Sequence, residues 1–373
     1  MKISLTFMHT AAAALVLAAA TAPGRADILY VGNDANNTIE RFSSTGSDLG
    51  VFASNPTADG AFTLGLAFDS AANLYVTYPN ITTNVVKYSP TGTYLFSFGV
   101  LSYVEGDTFG RDGNLYIAET VYNKIEKFSP GGTDLGAFAS GSGVNAPRGI
   151  AFDAAGNLYV VNSGNNTVEK FSTNGTDLGV FAGPPLNVPY GLAFDAAGNL
   201  FVSNLNSWDI EEFSPAGTFL GTFAHGNIFV SSGMGVPYGL AFDSAGNLYA
   251  ANSNSSIEMF SPTGTDLGHF ATDSNGPRYI AFTDDSGKPL PLPPGIAAAT
   301  VQINIVAPYL SGQVHLRVTG APGTNYAVQF ATNLDPATVS WVSLFTSNSA
   351  TGTFDYSDLH ATNPVGFYRA VSQ

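Results

Sequence analysis

From Ile28 onward the chain alternates short apolar stretches with clusters of Gly, Asn, Asp, Ser and Pro, on one repeating pattern. Apolar runs of about five residues bounded by turn residues predict strands. Four motifs recur. The first is Gly65-Leu-Ala-Phe-Asp69, with copies at Gly149, Gly191 and Gly239 and degenerate copies at Gly106-Asp-Thr-Phe-Gly110 and Tyr279-Ile-Ala-Phe-Thr283. The second is Asn-Leu-Tyr/Phe followed by small apolar residues, from Asn73, Asn114, Asn157, Asn199 and Asn247, with a copy lacking Asn at Ile28. The third is Ile/Val-Glu-x-Phe-Ser, from Ile39, Ile125, Val168, Ile210 and Ile257, with the variant Val85-Val-Lys-Tyr-Ser89. The fourth is Leu-Gly-x-Phe-Ala, from Leu49, Leu135, Leu178, Leu220 and Leu267, with the variant Leu95-Phe-Ser-Phe-Gly99.

Asp-x-x-Gly-Asn joins the first motif to the second, and Ser-Pro-x-Gly-Thr joins the third to the fourth. Both are tight-turn chemistry, because Pro presets φ, Gly supplies positive φ, and Asp or Asn bonds nearby backbone. The Asn-Leu anchors lie 41, 43, 42 and 48 residues apart. Each unit is therefore a four-stranded antiparallel meander the size of a β-propeller blade. Each motif occurs six times, which predicts an all-β, six-bladed propeller. The chain enters the pattern at a second strand, and the missing first strand returns as Tyr279–Thr283. That order predicts ring closure by strand exchange, which removes two free sheet edges.

The unit Gly-Leu-Ala-Phe-Asp-x-x-Gly-Asn-Leu-Tyr-Val-x-Asn-x-x-x-Asn-x-Val-Glu-Lys-Phe-Ser-x-x-Gly resembles the NHL-type propeller repeat. It is also similar to the wider six-bladed group of senescence-marker and gluconolactonase-like proteins. The resemblance covers about residues 27–284 and implies the fold. For function it implies two classes, passive binding platforms and enzymes that hold a metal at the channel mouth.

Residues 1–26 read as a secretory signal peptide, with Lys2, an Ala/Leu-rich apolar run from Thr10 to Ala20, and small residues before Asp27. The Pro-rich stretch within 285–300 predicts an extended linker. Residues 301–373 carry six or seven short alternating stretches separated by turn signals, which predicts a small β-sandwich. Its pattern of Asn325-Tyr, Trp341, Tyr356 and Phe367-Tyr-Arg-Ala370 resembles an immunoglobulin- or fibronectin-like module of secreted bacterial proteins. The expected compartment is the periplasm, the cell surface or the outside, and the expected state is a monomer.

Charge narrows the function classes. The formal net charge is −15, and only 11% of the 373 residues are charged, against about 25% in ordinary domains. An acidic chain lacks the basic footprint of a nucleic-acid binder. The chain has no Cys, so disulfides, thiolate nucleophiles, Cys-bound zinc and a lipid-attachment cysteine are excluded. After the leader no apolar run reaches the roughly 18 residues of a membrane span. The five His show no paired metal spacing, and no Ser stands in a nucleophile-elbow motif.

Two aligned rings carry the remaining candidate chemistry. The residue before each inner strand gives Leu64, Glu105, Arg148, Tyr190, Tyr238 and Arg278, all expected at one mouth of the channel. The residue five after each Asn-Leu anchor gives Asn33, Tyr78, Glu119, Asn162, Asn204 and Asn252. Carboxylate and amide oxygens suit a hard cation such as Ca²⁺, so Glu119, Asn162, Asn204 and Asn252 are the metal candidates. A recurrent Asn at a strand end equally closes a turn. Asp107 replaces the apolar residue of the other inner strands. It reads either as an acid–base partner of Glu105 or as a solvated acid in a degenerate blade. The repeated Asp69, Asp153, Asp195 and Asp243 read as turn formers. Near-identical blades favour a non-catalytic scaffold for a protein, peptide or glycan, with Glu105, Asp107, Arg148, Tyr190, Tyr238 and Arg278 as candidate ligand contacts. A metal-assisted lactonase or hydrolase at the same mouth is the alternative.

Overall fold

The computed structural model describes residues 27–290 apart from 57–61, 80–82, 154, 227–233, 274, 285–287 and 289, together with the backbone of six strands between Gln302 and Ser372. The expected leader 1–26 and nearly all of the expected linker lie outside the described residues. Among the described residues the protein is all-β, and no helix is long and apolar enough to cross a membrane.

Residues 28–283 form six four-stranded antiparallel sheets, the blades of a six-bladed propeller. The blades are called I to VI here in chain order. Blade I holds Ile28–Asn33, Thr38–Phe42 and Asp48–Ser54 as its second, third and fourth strands, with Pro277–Thr283 as its first, innermost strand. The inner strands of blades II to VI are Gly65–Phe68, Val104–Phe109, Pro147–Phe152, Pro189–Phe194 and Pro237–Phe242. Each packs against the next around the axis, and Pro277–Thr283 touches the inner strands of both blade VI and blade II.

One aromatic pair recurs at every blade interface. Tyr30 meets Phe68 edge-on at 4.9 Å, Tyr75 meets Phe109 at 4.8 Å, and Tyr116 meets Phe152 at 4.8 Å. Tyr159–Phe194, Phe201–Phe242 and Tyr249–Phe282 complete the ring at 4.9, 5.1 and 4.8 Å. The Phe belongs to the first sequence motif and the other ring to the second. This explains why the degenerate inner strand of blade III still keeps Phe109. An edge-to-face pair adds about 0.5–1.5 kcal/mol beyond its buried area, so six of them bind the blades into one body.

The outer strands expose a free edge, and each carries the same irregularity. The ladder slips by one residue at Leu49, Leu95, Leu135, Leu178, Leu220 and Leu267, leaving each leucine opposite no partner. These six leucines are 44–54% exposed. In four blades the Asp before the leucine accepts the N–H of the Gly after it, at 2.6–2.8 Å. Those glycines have φ of +82° to +92° and open space around the missing Cβ. A bulge of this kind twists the edge away from pairing with another chain.

The turn carboxylates close hairpins. Asp69 Oδ1 accepts the Asn73 N–H at 2.9 Å, and its Oδ2 accepts the Asn73 side-chain N–H at 2.8 Å. Asp153, Asp195 and Asp243 repeat both bonds. In blade III, Gly110 takes the Asp position and Asp112 supplies the carboxylate instead.

In the C-terminal part, two three-stranded antiparallel sheets are described. One orders Gln302–Ile305, Val314–Thr319 and Thr353–Asp358; the other orders Val342–Asn348, Asn325–Ala331 and Phe367–Ser372.

Candidate functional site at the channel mouth

The inner strands begin slightly earlier than the motifs predicted. Glu105, Arg148, Tyr190, Tyr238 and Arg278 are the second residues of their strands, not the residues preceding them. Just after them the ladder between first and second strands is interrupted, between Val104 and Asp107, Pro147 and Ile150, Pro189 and Leu192, and Pro237 and Leu240. The glycines at these breaks allow very close approach of the strands. A Cβ on Gly149 would lie 2.6 Å from the Tyr190 carbonyl oxygen, and one on Gly106 would lie 2.8 Å from that of Arg148.

This close approach brings three alternate blades together on the axis. Glu105 of blade III is 1% exposed. Its Oε1 receives Arg148 Nη1 at 3.1 Å, and its Oε2 receives the hydroxyls of Tyr190 at 2.9 Å and Tyr279 at 3.4 Å. The Arg148 guanidinium sits 5.0 Å from the Tyr190 ring centre, and Arg278 sits 5.1 Å from that of Tyr238. Tyr190 and Tyr238 meet edge-on at 5.3 Å. Arg278 also pairs with Asp34 at 3.3 Å. Burial raises the Glu105 carboxyl above the usual range, against the charge of Arg148 and the bonds it receives. Burial and the Glu105 charge together push the Tyr190 hydroxyl up. The mouth is a neutralised, cross-braced polar layer.

Asp107 is arranged differently. It is 9% exposed, so it is not the solvated acid of a degenerate blade. It shares no hydrogen bond with Glu105, and neither of its carboxyl oxygens has a partner from another described residue. Burial alone drives its carboxyl well above the ordinary range, opposed by its own backbone N–H. Burial, and not the expected coupling of the two acids, is what perturbs Asp107. It lines a cavity of about 140 Å³ on the axis.

The second ring is committed to the loops between blades. Glu119 Oε1 accepts the Ser102 N–H at 2.6 Å, Asn162 Oδ1 that of Asn145 at 3.0 Å, and Asn204 Oδ1 that of Asn187 at 2.9 Å. In each case the amide lies 17 residues earlier. Glu119 thus performs the same task as the asparagines, and its second oxygen pairs with Lys124 at 3.0 Å. Asn252 donates to Ala250 O at 3.0 Å and to Ser256 Oγ at 3.2 Å. A cation on this ring would compete with the backbone for the oxygens of Glu119, Asn162 and Asn204. No group of three or more His, Asp or Glu with metal-holding geometry occurs among the described residues.

Two features escaped the sequence reading. Tyr279 occupies the position held by Gly in the other five inner strands. That exchange was the available signal, since a ring there must cross the axis. The second is an apolar patch on the mouth face. Val100 and Tyr103 precede the inner strand of blade III, and Val121 and Tyr122 join its next two strands. They are 78%, 52%, 61% and 62% exposed, respectively. The Thr120 N–H donates to the Tyr103 carbonyl at 3.0 Å and ties the two loops together.

No protein-family model matches the chain, and no curated protein matches it in sequence. Similarity to solved structures is extensive. A chain in the crystal structure of a nidogen/laminin complex aligns with a TM-score of 0.58 at 21% identity, over 69% of this chain and 98% of that one. A streptogramin B lyase aligns at 0.53 and 14% identity, over 70% and 96%. A gluconolactonase from Xanthomonas campestris aligns at 0.51 and 18% identity, over 69% and 95%. Each likeness is one of fold.

Proposed function

We propose that this chain is an exported, non-catalytic propeller that binds a protein, peptide or glycan on the mouth face of its ring. The observation that carries the reading is the patch of Val100, Tyr103, Val121 and Tyr122. The corresponding second-to-third-strand loops of blades IV and VI are polar, Ser163-Gly-Asn-Asn166 and Ser253-Asn-Ser255, whereas that of blade V carries Leu205 and Trp208. Exposed tyrosines beside apolar residues, on loops held by backbone bonds, are the composition of a protein-binding hot spot. Protein and peptide partners are therefore favoured over glycans. The nidogen/laminin complex supplies a precedent for a partner-bound protein of this fold.

The metal-assisted lactonase reading has less support. The carboxylate it would draw on at the mouth, Glu105, is already held by Arg148, Tyr190 and Tyr279. Closure of the ring by exchange of Pro277–Thr283 belongs to the same proposal. So does an accessory immunoglobulin- or fibronectin-like sandwich after residue 300. The leader is removed on export, and the monomer acts in the periplasm, at the cell surface or outside.

The test uses peptides selected from a random library on the wild-type chain, alongside a glycan array. Selected peptides should lose at least tenfold in affinity on Tyr122→Ser and Val121→Ser. Ligands insensitive to both substitutions would remove the patch from the proposal. Hydrolysis of an aldonolactone with added Ca²⁺ or Zn²⁺, abolished by Glu105→Gln, would overturn the non-catalytic reading.

A further inference from the structure

The outer strand of blade VI, Asp266–Thr272, carries a histidine directly opposite a buried glutamate. His269 pairs with Glu258 of the third strand, Ser256–Phe260. At the equivalent place in blades I, III, IV and V, Val51, Ala137, Val180 and Thr222 face Glu40, Glu126, Glu169 and Glu211. Past His269 the ladder slips, and Phe270 has no partner before Ala271 pairs with Ile257. Residues three apart on a regular strand point to opposite faces. The extra residue of the bulge breaks that alternation and puts Thr272 on the same side as His269.

The side-chain contacts follow from it. His269 Nδ1 lies 2.9 Å from Glu258 Oε1, and His269 Nε2 lies 2.7 Å from Thr272 Oγ1. Glu258 is fully buried, and its other oxygen has no partner among the described residues. The His269 side chain is 42% exposed, and Thr272 is exposed. A carboxylate only accepts, so Glu258 assigns the ring proton to Nδ1 and leaves the Nε2 lone pair for the Thr272 hydroxyl. A hydroxyl bonded to a base that a third group orients is the arrangement that activates an oxygen nucleophile.

The backbone adds a donor. Thr272 lies opposite Ser256, and the Asp273 N–H donates to the Ser255 carbonyl at 3.0 Å. That bond marks Ser256 and Thr272 as a non-hydrogen-bonded pair, in which the N–H and C=O groups of both residues point away from the partner strand. Asp266–Thr272 is the outermost strand of its sheet, so the Thr272 N–H faces the open edge. An amide there is placed to meet a carbonyl oxygen as negative charge gathers on it.

We propose that Thr272 is a covalent modification site, an acceptor of an acyl group from an activated carboxylic ester, with His269 as the base and Glu258 positioning it. Thr272 Oγ attacks the ester carbonyl carbon while its proton passes to His269 Nε2. The tetrahedral intermediate collapses by breaking the bond to the leaving oxygen, which takes the proton back from Nε2. The products are O-acyl-Thr272 and the free alcohol. The site is on the rim of blade VI and the exposed patch is on loops of blade III, so the outcome for one leaves the other untouched.

The experiment treats the full chain with p-nitrophenyl acetate and locates acetyl groups by peptide mass spectrometry. Ser54 and Ser140 are internal controls. They are exposed and occupy the place of Thr272 in blades I and III, with Val51 and Ala137 in place of His269. Thr272 should acetylate about a hundredfold faster than either, the scale of general-base assistance. His269→Val should bring it down to the rate of the controls. Glu258→Gln should slow it by about the same factor, because the wrong ring nitrogen then carries the proton. Thr272→Ser should keep the fast label and Thr272→Val should lose it. The rates at Ser54 and Ser140, read in the same molecules, should stay constant, whereas a variant that merely loosened the fold would raise them. Nitrophenol release from the fast site should stop at one equivalent. Labelling of Thr272 no faster than the controls, fast labelling that survives His269→Val, or an acetyl group that stays on His269 would overturn the proposal. Sustained nitrophenol release that depends on Thr272 would overturn it too, because the site would then be a hydrolase and not an acceptor.

Discussion

Tyr190 donates its hydroxyl to Glu105 Oε2 at 2.9 Å, across 85 residues of sequence and two blades of the ring. This bond fixes the mouth of the channel, because Tyr190 also meets Tyr238 edge-on and lies under Arg148. Bonds to a buried charge are worth about 1.5–3 kcal/mol. Tyr190→Phe should therefore lower the unfolding free energy by about that amount with the fold intact. Denaturant unfolding monitored by tryptophan fluorescence and by circular dichroism checks it. A variant as stable as the wild type would show that the brace carries no energy.

The inner strand 277–283 should be essential to the propeller. Phe282 fills the interface with Tyr249, and loss of such a ring to Ala costs about 3–5 kcal/mol. Phe282→Ala should lower the melting temperature of the whole ring and not of one blade. Removing residues 277–373 should abolish cooperative unfolding, since blade I loses its inner strand. Calorimetry distinguishes one transition from none.

Glu119 should behave as a structural acceptor. Glu119→Ala leaves the Ser102 amide without its partner and should cost about 1–3 kcal/mol. Glu119→Gln keeps an acceptor oxygen and should cost clearly less. Calcium titration by calorimetry on the wild type and the Gln variant is the companion measurement. Heat in the wild type that vanishes in Glu119→Gln would restore the metal reading of the second ring.

Stability should fall as pH rises through neutrality. Burial, together with the neighbouring Asp177, pushes the Glu169 carboxyl up to about 7 from 4.5. Between those values the folded chain holds a proton that the unfolded chain has released. The contribution is thus fully present below about pH 4.5 and is lost as pH passes through about 7. Melting temperatures measured from pH 5 to pH 9 should decline more steeply for the wild type than for Glu169→Gln. Parallel curves would contradict the assignment.

The bulged leucines of the outer strands should be dispensable and their glycines should not. Leu178→Asn changes a half-exposed side chain and should stay within about 0.5 kcal/mol of the wild type. Gly179 has φ of +92°, so Gly179→Ala should cost about 1–2 kcal/mol despite the open space around it. Equal stability of the two variants would remove the bulge as a designed feature of the edge.

The repeat itself was legible in the chain. Strand positions, turn chemistry, the number of blades and the displaced inner strand at 277–283 follow from local pattern, because each blade is built from neighbours in sequence. The second ring was legible only as positions: whether Glu119 awaits a cation or holds an amide depends on a loop 17 residues away. The mouth ring was likewise listable, but its meaning was not. Alignment places Glu105, Arg148 and Tyr190 at equivalent positions without saying that alternate blades III, V and I meet closely enough for Tyr190 and Tyr279 to share one carboxylate. Asp107 shows the difference most directly. Two residues from Glu105, it reads in sequence as its partner or as a wet acid, yet the ring buries it with no hydrogen-bond partner among the described residues. A side chain's distance from the axis is set by the packing of six inner strands against one another, and that packing is a property of the closed ring, which no single repeat contains.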